Sequence, residues 1–255
     1  GGTDRVDYLL EGSGVTVDLG TDNQTVSVTV IDSSGSTDTL LHIEDVRGSR
    51  YDDTIIGDAS ANRLEGDDGN DIIDGGAGND TLFGGDGDDT ITGGTGGDTL
   101  IGGSGDDTLI GTTAADHHFG YGNGYDLVDY SSEASPITAT LSSTVTVTGT
   151  SAGTDTLVNF NEIIGTSQAD QFTADSSYLA VYVEGTSSIG GNAFRGGGGD
   201  DIITGSGNTR AVYSDATGSV TVDLAAGTAE LGFELRERLT AHPEYIRDAA
   251  TWLAP

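Results

Sequence analysis

A nine-residue period runs through the middle of this sequence and constrains its fold more than any other feature. In a frame that starts at Gly48 and ends at Phe119, the five units between 66 and 110 are near-regular: GDDGNDIID, GGAGNDTLF, GGDGDDTIT, GGTGGDTLI and GGSGDDTLI. A further unit, GGGGDDIIT, lies at 196–204. A fixed short period predicts a solenoid in which each unit contacts its neighbours.

Two positions of the unit recur with one chemical character. Position six carries an acid in all units but one: Asp53, Asn62, Asp71, Asp80, Asp89, Asp98, Asp107, Asp116 and, in the separate unit, Asp201. Position eight is apolar before a final histidine: Ile55, Leu64, Ile73, Leu82, Ile91, Leu100, Leu109, then His118. The glycines permit a sharp turn, and the residues after the aspartate favour a short strand. One apolar residue per nine cannot close a core alone, so the turns must stack.

The charge balance limits the partners that this chain can have. The sequence has 42 acidic residues and 9 basic ones, for a net charge of -33. This excess argues against nucleic acid and anionic membranes, and it favours cations. The chain has no cysteine, which excludes disulfides and thiolate metal sites. No apolar run approaches the ~20 residues of a membrane-spanning helix.

Stacked turns create an electrostatic problem that calcium would solve. They lay aspartates in rows about 4.8 Å apart, where like charges oppose the compact state. Calcium accepts six to eight oxygen ligands at about 2.3–2.6 Å from carboxylates and backbone carbonyls, and these loops offer both. Magnesium demands a tighter octahedron and retains its water. We therefore expect several calcium ions between the turns.

A longer repeat overlies the short one. Tyr8, Tyr130 and Tyr213 each precede a leucine by eleven residues, and the segment 38–58 resembles 155–175 at an offset of 117. The alternating apolar residues of these segments predict strands. Residues 230–255 differ and predict two short amphipathic helices. The predicted divisions are a β linker at 1–47, the main roll at 48–129, a second linker at 130–164, a degenerate roll at 165–204, the start of a third linker at 205–229, and a helical tail at 230–255.

The units GGAGNDTLF, GGDGDDTIT, GGTGGDTLI and GGSGDDTLI resemble the RTX (hemolysin-type) repeats of secreted bacterial proteins. The resemblance implies an all-β fold, a parallel β-roll with two units per turn, and calcium between the loops of units n and n+2. It would pair Asp71 with Asp89, Asp80 with Asp98, and Asp89 with Asp107, and Asp53 and Asp116 could extend these rows. The implied metal-binding residues are Asp53, Gly66, Asp68, Asp71, Gly75, Ala77, Asn79, Asp80, Gly84, Asp86, Asp88, Asp89, Gly93, Thr95, Gly97, Asp98, Gly102, Ser104, Asp106, Asp107, Asp116 and Asp201.

Two departures from the pattern modify this expectation. Asn62 replaces the aspartate that would face Asp80, so a site there should be weaker. After Phe119 the frame slips by one, which places Asp126 in the aspartate role and suggests that the roll ends near residue 129. His117 and His118 lie where the repeat decays, and a role in capping the roll is favoured over metal binding.

The sequence favours an extracellular, secreted module that is not itself an enzyme. The resemblance implies type I export from a bacterium and folding on calcium outside the cell. Alternatives are an ancillary domain of a secreted polysaccharide-modifying enzyme or hydrolase, or an adhesin segment. Other domains of a longer chain and a surface polysaccharide are the further partners considered. The tail at 230–255 could cap the roll, begin another domain or act as an export signal.

Overall fold

The computed structural model describes residues 3–20, 28–31, 37–112, 126–141, 145–174, 193–204, 210–212 and 220–223. Within these ranges the chain forms strands and no helix, so nothing described could cross a membrane as a helix. The predicted helical tail at 230–255 lies outside the described residues. In chain order the strands are β1 (Arg5–Asp7), β2 (Thr16–Asp18), β3 (Val28–Ile31), β4 (Thr37–Leu40), β5 (Asp45–Arg47), β6 (Thr54–Ile56), β7 (Arg63–Asp68), β8 (Ile72–Asp74), β9 (Thr81–Asp86), β10 (Thr90–Gly94), β11 (Thr99–Ser104), β12 (Thr108–Thr112), β13 (Leu127–Asp129), β14 (Ile137–Leu141), β15 (Val145–Gly149), β16 (Gly153–Val158), β17 (Glu162–Ile164), β18 (Gln171–Ala174), β19 (Ala193–Arg195), β20 (Asp201–Thr204), β21 (Arg210–Val212) and β22 (Val220–Asp223).

These strands form two sheets, and the chain alternates between them from β5 to β13. Sheet A has the order β1-β5-β7-β9-β11-β13-β17-β19-β21, and sheet B has the order β22-β20-β18-β14-β15-β16-β12-β10-β8-β6-β2-β3-β4. In the nonapeptide region all pairs are parallel, and partners such as Leu82 and Leu100 or Thr90 and Thr108 are 18 residues apart. One turn therefore contains two nonapeptides. The expected all-β architecture with parallel sheets is confirmed.

A single file of apolar side chains from each sheet makes the core of the roll. The position-eight residues are at most 1 % exposed: Ile55, Leu64, Ile73, Leu82, Ile91, Leu100 and Leu109. They belong to one continuous cluster that also takes in residues of the linkers, such as Val17, Val128 and Phe172. The sequence sets this core because strand residues alternate between faces, so position eight points inward while positions seven and nine point outward.

Truncation of one core side chain should be costly because each turn contributes so few. We expect Leu82→Ala to lower the free energy of unfolding by about 2–5 kcal/mol, as for other buried leucines. Leu10→Ala is the matched control, since Leu10 is 93 % exposed. Urea unfolding of both variants in calcium measures the difference. Equal midpoints for the two variants would contradict the assigned core.

The linker segments are built into the same two sheets as the nonapeptides. β13 pairs with β11 in sheet A, and β16 pairs in parallel with β12 in sheet B. The antiparallel strands β16, β15 and β14 then carry sheet B across to β18. Both sheets continue beyond residue 129, where the frame slip was expected to end the roll. The division into six segments stays a prediction.

Candidate metal centre

The position-six side chains stack in two columns, one for each direction in which the chain crosses between the sheets. Their members are at most 8 % exposed. The first column contains Asp53, Asp71, Asp89, Asp107 and Asp155, and the second contains Asn62, Asp80, Asp98, Asp126 and Asn161. Successive members of a column belong to successive turns of the solenoid.

In the column members other than Asn62, one side-chain oxygen accepts a hydrogen bond from a backbone N–H of the neighbouring turn. Oδ1 of Asp89 accepts a hydrogen bond of 2.8 Å from the backbone N–H of Asp71, and Oδ1 of Asp107 accepts one of 2.9 Å from Asp89. In the second column Oδ1 of Asp98 accepts one of 2.9 Å from Asp80. Each of these carboxylates thus helps to fix the stacking of the turns through its Oδ1.

The second oxygen has no hydrogen-bond partner in five of the buried carboxylates. These atoms are Oδ2 of Asp71, Asp80, Asp89, Asp107 and Asp201. In each of these loops, position two of the unit has a positive φ: 92° at Asp67, 91° at Gly76, 128° at Gly85, 107° at Gly103 and 84° at Gly197. A buried carboxylate oxygen without a donor is costly, so such a row calls for a positive group.

In three other loops of the same frame, the backbone N–H of position two donates a hydrogen bond to the side chain at position six. The backbone N–H of Ser49 donates to Oδ2 of Asp53 at 2.6 Å, and the Ser49 hydroxyl donates to Oδ1 at 2.9 Å. Thr166 provides the same two groups to Asp170. The position-two residues of these loops, Ser49, Asp58 and Thr166, lack the positive φ. Their N–H can therefore reach the side chain at position six.

Asn62 forms the third such loop with an amide in place of a carboxylate. Its Oδ1 accepts a 2.9 Å hydrogen bond from the N–H of Asp58, and its Nδ2 donates to the carbonyl of Glu44 at 3.2 Å. Asn62 therefore uses both polar atoms within the protein. At the far end of the first column, Oδ2 of Asp155 accepts a 2.7 Å hydrogen bond from the Tyr130 hydroxyl.

The glycine at position one lets each unpartnered oxygen lie close to the backbone. A methyl carbon built on Gly66 would lie 2.0 Å from Asp71 Oδ2 and 2.7 Å from the carbonyl oxygen of Gly84, one turn on. On Gly84 it would lie 2.0 Å from Asp89 Oδ2 and 2.5 Å from the Gly102 carbonyl oxygen. A carboxylate oxygen and a carbonyl oxygen from consecutive turns thus converge beside the glycine, so that only a residue without a Cβ fits there.

A methyl group at Gly84 should therefore disturb the site between two turns. We expect Gly84→Ala to raise the calcium concentration at the folding midpoint by about tenfold or more, since overpacking typically costs about 1–3 kcal/mol. Gly149→Ala is the matched control, because the nearest atoms to its added carbon are 3.2 Å away and its φ is not positive. Calcium titrations followed by circular dichroism compare them. If Gly84→Ala and Gly149→Ala had the same calcium midpoint, a methyl group at position one would not disturb the carboxylate, and the assigned site would be contradicted.

Burial makes these carboxylates reluctant to ionise without a cation. It raises the pKa of Asp71 to about 7 and that of Asp89 to about 8, with neighbouring carboxylates acting in the same direction. Burial also raises the pKa of Asp80 to about 7 and that of Asp107 to about 6. A dication placed among them would reverse this effect by favouring the charged form.

The structure places the other predicted site residues in the same loops. Gly66, Gly75, Gly84, Gly93 and Gly102 are buried at position one. Asp68, Asn79, Asp86, Asp88, Thr95 and Asp106 are exposed, and Ala77, Gly97 and Ser104 are half-buried, so any contribution from the exposed acids as ligands would come from their carbonyls. Asp53 lies in the column, with both oxygens already hydrogen-bonded. Asp116 lies outside the described residues, as do His117 and His118.

Sequence reasoning left three buried acids out of the metal-binding set. Asp126 follows Asp98 in the second column, where Asp116 was expected, and its Oδ1 accepts the Asp98 N–H at 3.1 Å. Asp155 follows Asp107 in the first column. Asp170 precedes Asp201, whose Oδ1 accepts its N–H at 3.0 Å. The offset of 117 residues between Asp53 and Asp170 was the available signal for Asp170.

The donor set fits calcium better than metals that prefer side-chain clusters. Among the described residues, no three His, Cys, Asp or Glu side chains gather around one point. The convergence seen at Gly66 and Gly84 instead combines one carboxylate oxygen with a backbone carbonyl. Mixed carboxylate and carbonyl oxygen is the ligand chemistry of calcium.

Comparison with known protein families agrees with this geometry. The model of the RTX calcium-binding nonapeptide repeat (4 copies) matches residues 47–82, 83–117 and 187–209. These segments contain all five loops with an unpartnered carboxylate oxygen. The search of curated proteins found no match to the chain.

Proposed function

Because this chain carries RTX calcium-binding nonapeptide repeats, we propose that it is an extracellular structural module that folds when calcium fills its loops. It would act as a folding aid, spacer or stabiliser within a larger secreted protein. The single observation that carries the proposal is the row of buried Oδ2 atoms without donors, each lying against a position-one glycine where a side chain would collide with it.

We assign three calcium sites within the main roll. The first lies between the loops that end at Asp71 and Asp89, and the second between those of Asp89 and Asp107. The third lies between the loops of Asp80 and Asp98. The unpartnered Oδ2 atoms of Asp71, Asp80, Asp89 and Asp107 would bind calcium, while the Oδ1 atoms keep their hydrogen bonds to the neighbouring turn. Loop carbonyls would complete the six to eight ligands. Asp126 replaces Asp116 as the candidate next to Asp98.

The ends of the columns mark where the calcium array stops. Asp53 and Asn62 begin the two columns, and the local hydrogen bonds of each satisfy its side chain. Within the described residues, Asp155 is the last member of the first column and accepts a hydrogen bond from Tyr130, and the neutral Asn161 is the last member of the second. We therefore assign Asp53 a capping role in place of the ligand role that the sequence suggested. Asp201, which has an unpartnered Oδ2 next to the self-satisfied loop of Asp170, is assigned a weaker site.

The physics of the roll favours folding outside the cell. Extracellular calcium modules bind at roughly 10⁻⁴–10⁻³ M, so the loops would stay empty in the cytosol and fill outside. Without the ion, the chain has a large negative charge and a core of one apolar residue per nine, which resembles the composition of disordered chains. Binding free energy would then be folding free energy. Type I export of an unfolded bacterial chain is consistent with this switch.

Removal of calcium is the direct test. We expect EDTA to abolish the β circular-dichroism signal of the purified chain and millimolar calcium to restore it, while the same concentration of magnesium does not. Isothermal titration should count at least three ions. An identical spectrum with and without chelator, or a titration that finds fewer than two ions, would refute the proposal.

A spacer role in a tandem array has its own structural support. The described strands between residues 5 and 56 repeat in those between 127 and 174 with the same register, as in the pairs Val30–Asp38 and Val147–Asp155. An array of such modules would favour the adhesin alternative. The role as an ancillary domain that binds polysaccharide for an enzyme still rests on the sequence alone.

A further inference from the structure

The two module copies share their hydrogen bonds as well as their strands. The N–H of Glu44 and of Asp45 donate to the carbonyl of Asp4 in the first copy, as those of Asn161 and Glu162 do to Asp126 in the second. Val15 donates to Asp53 Oδ1 as Ile137 donates to Asp170 Oδ1. His42 and Asn159, which correspond, both have a positive φ, of 57° and 53°. In these hydrogen bonds and backbone angles the two copies are structurally equivalent.

In the second copy, the main roll covers one end of the module. β11 pairs with β13, and β12 pairs with β16, so the last turn of the roll lies across both sheets. The N–H of Asp107 donates to Asp155 Oδ1 at 3.0 Å, and the N–H of Thr154 donates to Asp106 Oδ1 at 2.8 Å. The carbonyl of Asp107 accepts a 2.7 Å bond from the N–H of Thr156.

In the first copy, the equivalent end begins the two sheets. Among the described strands, β1 and β4 stand at the same end of sheets A and B, and each has one strand neighbour. β1 corresponds to β13 and β4 to β16. We call the outer edges of β1 and β4 the entry face.

The side chains of the entry face are more exposed than their buried counterparts. Asp4 and Asp38 are exposed, and Val6 and Leu40 are only partly buried. Their counterparts in the second copy, Asp126, Asp155, Val128 and Leu157, are at most 2 % exposed. Thr156 directs its N–H away from β15 toward the roll, so Thr39 must direct its N–H outward in the same way. Within the described part of the chain, the outer edges of the entry face have no strand partner and its apolar side chains are partly exposed, and a strand neighbour would cover both.

We propose that the entry face binds the last turn of another nonapeptide roll, joined ahead of β1 as the main roll is joined ahead of β13. The partner turn is two nonapeptides with calcium in their loops and strands of the type Asp-Thr-Leu-Ile in parallel register with β1 and β4. Its aspartate N–H groups would donate to Asp4 and Asp38. Among the described strands of a second copy, the nonapeptide strands are already covered: β11 by β13, β12 by β16 and β20 by β22. The inference goes beyond the calcium-binding role by naming what the module joins.

A module exchange tests this inference within the full chain. In the chimera, residues 4–47 replace residues 126–164, so that the first module copy follows the main roll while the original copy remains at its place. The chain lacks cysteine, so a single Leu40→Cys substitution reports on one copy at a time. We expect the thiol of the inserted copy to react with a maleimide at least about tenfold more slowly than that of the original copy, as expected for a site that reacts only through local opening.

Each result of the exchange decides the matter. Slow labelling in the inserted copy and fast labelling in the original one supports the inference. A chimera that fails to fold in calcium, while the parent chain folds, overturns it, because the entry face then does not accept a roll. Equal labelling rates also overturn it. Labelling of the original copy that becomes slower as the protein concentration rises would also overturn the inference, since a second molecule of the chain would then cover the entry face. Failure of the parent chain to fold on calcium would instead refute the proposed function.

Discussion

The triple variant Asp71→Asn, Asp89→Asn, Asp107→Asn is expected to lose calcium-dependent folding of the main roll. Asparagine keeps an Oδ1 that can accept the N–H of the neighbouring turn, and it replaces the unpartnered oxygen with a neutral amide. Two assigned sites of the first column would be lost. A site filled at a hundredfold excess over its Kd contributes about 2.7 kcal/mol, so the loss is about 5 kcal/mol, comparable to the whole stability of a small domain.

The matched control removes the same charge from the surface. Asp52→Asn, Asp68→Asn, Asp86→Asn changes three exposed acids, including two at the loop positions where only the carbonyl could bind the ion. We expect the control to fold at nearly the same calcium concentration as the parent chain. Circular dichroism across a calcium titration and ion counting by calorimetry compare the two triples. If both lost the same number of ions, calcium would be responding to overall charge, and the assigned sites would be wrong.

A single substitution separates ligands from caps within one column. Asp53→Asn should leave the calcium count unchanged, because both oxygens of Asp53 are held by Ser49 and Val15. The equivalent change at Asp89 should remove one or two ions. This contrast tests the claim that the backbone at position two decides whether a loop needs a cation.

The regular part of the fold follows from the sequence because its interactions are local and periodic. Leu82 pairs with Leu100 in the next turn, and the same relation recurs for each unit. Finding the nine-residue frame therefore identifies every core residue of the roll. The aspartate columns follow from the same frame. Glycine at position one was expected for its backbone freedom, but Gly66 and Gly84 do not have a positive φ. Their role is to let the carboxylate and the carbonyl of the neighbouring turn approach the backbone closely.

The rest of the site depends on contacts between residues whose separation does not follow the nine-residue repeat. Asp98 meets Asp126 across 28 residues, and Asp107 meets Asp155 across 48, because the sequence between them departs from the nine-residue frame. Both sheets continue past residue 129, and the end of the nonapeptide roll near that residue stays a prediction. The loops of Asp53 and Asp71 differ at position two, which is Ser49 in the first and Asp67, with a positive φ, in the second. Serine commonly bonds a nearby backbone or side-chain group in turns, but its effect here required the loop geometry.

The stability of the calcium-free chain is expected to rise as the pH falls. Burial raises the pKa of Asp71, Asp80 and Asp155 to about 7 and that of Asp89 to about 8, from an ordinary value of 3.8. The folded chain therefore binds more protons than the unfolded chain between about pH 4 and pH 8. The stability from these groups is fully present below about pH 4 and is lost as the pH rises through the folded values.

Calcium binding should have the opposite dependence on pH. The ion needs deprotonated carboxylates, so it must displace the protons that the folded loops would otherwise hold. We expect calcium affinity to weaken as the pH falls from 8 to 6, and each ion to release protons when it binds. In EDTA, the β signal should be weakest at pH 8 and should increase toward pH 5.

Two measurements distinguish this coupling from a general effect of charge. Calorimetry in buffers with different ionisation enthalpies counts the protons released per calcium ion near pH 7. The triple Asp71→Asn, Asp89→Asn, Asp107→Asn should reduce that count and flatten the pH dependence in EDTA, whereas Asp52→Asn, Asp68→Asn, Asp86→Asn should leave both nearly unchanged. A β signal in EDTA that grew with pH would mean that the buried carboxylates are stabilised as anions by the protein itself, and calcium would then not be needed to hold the turns together.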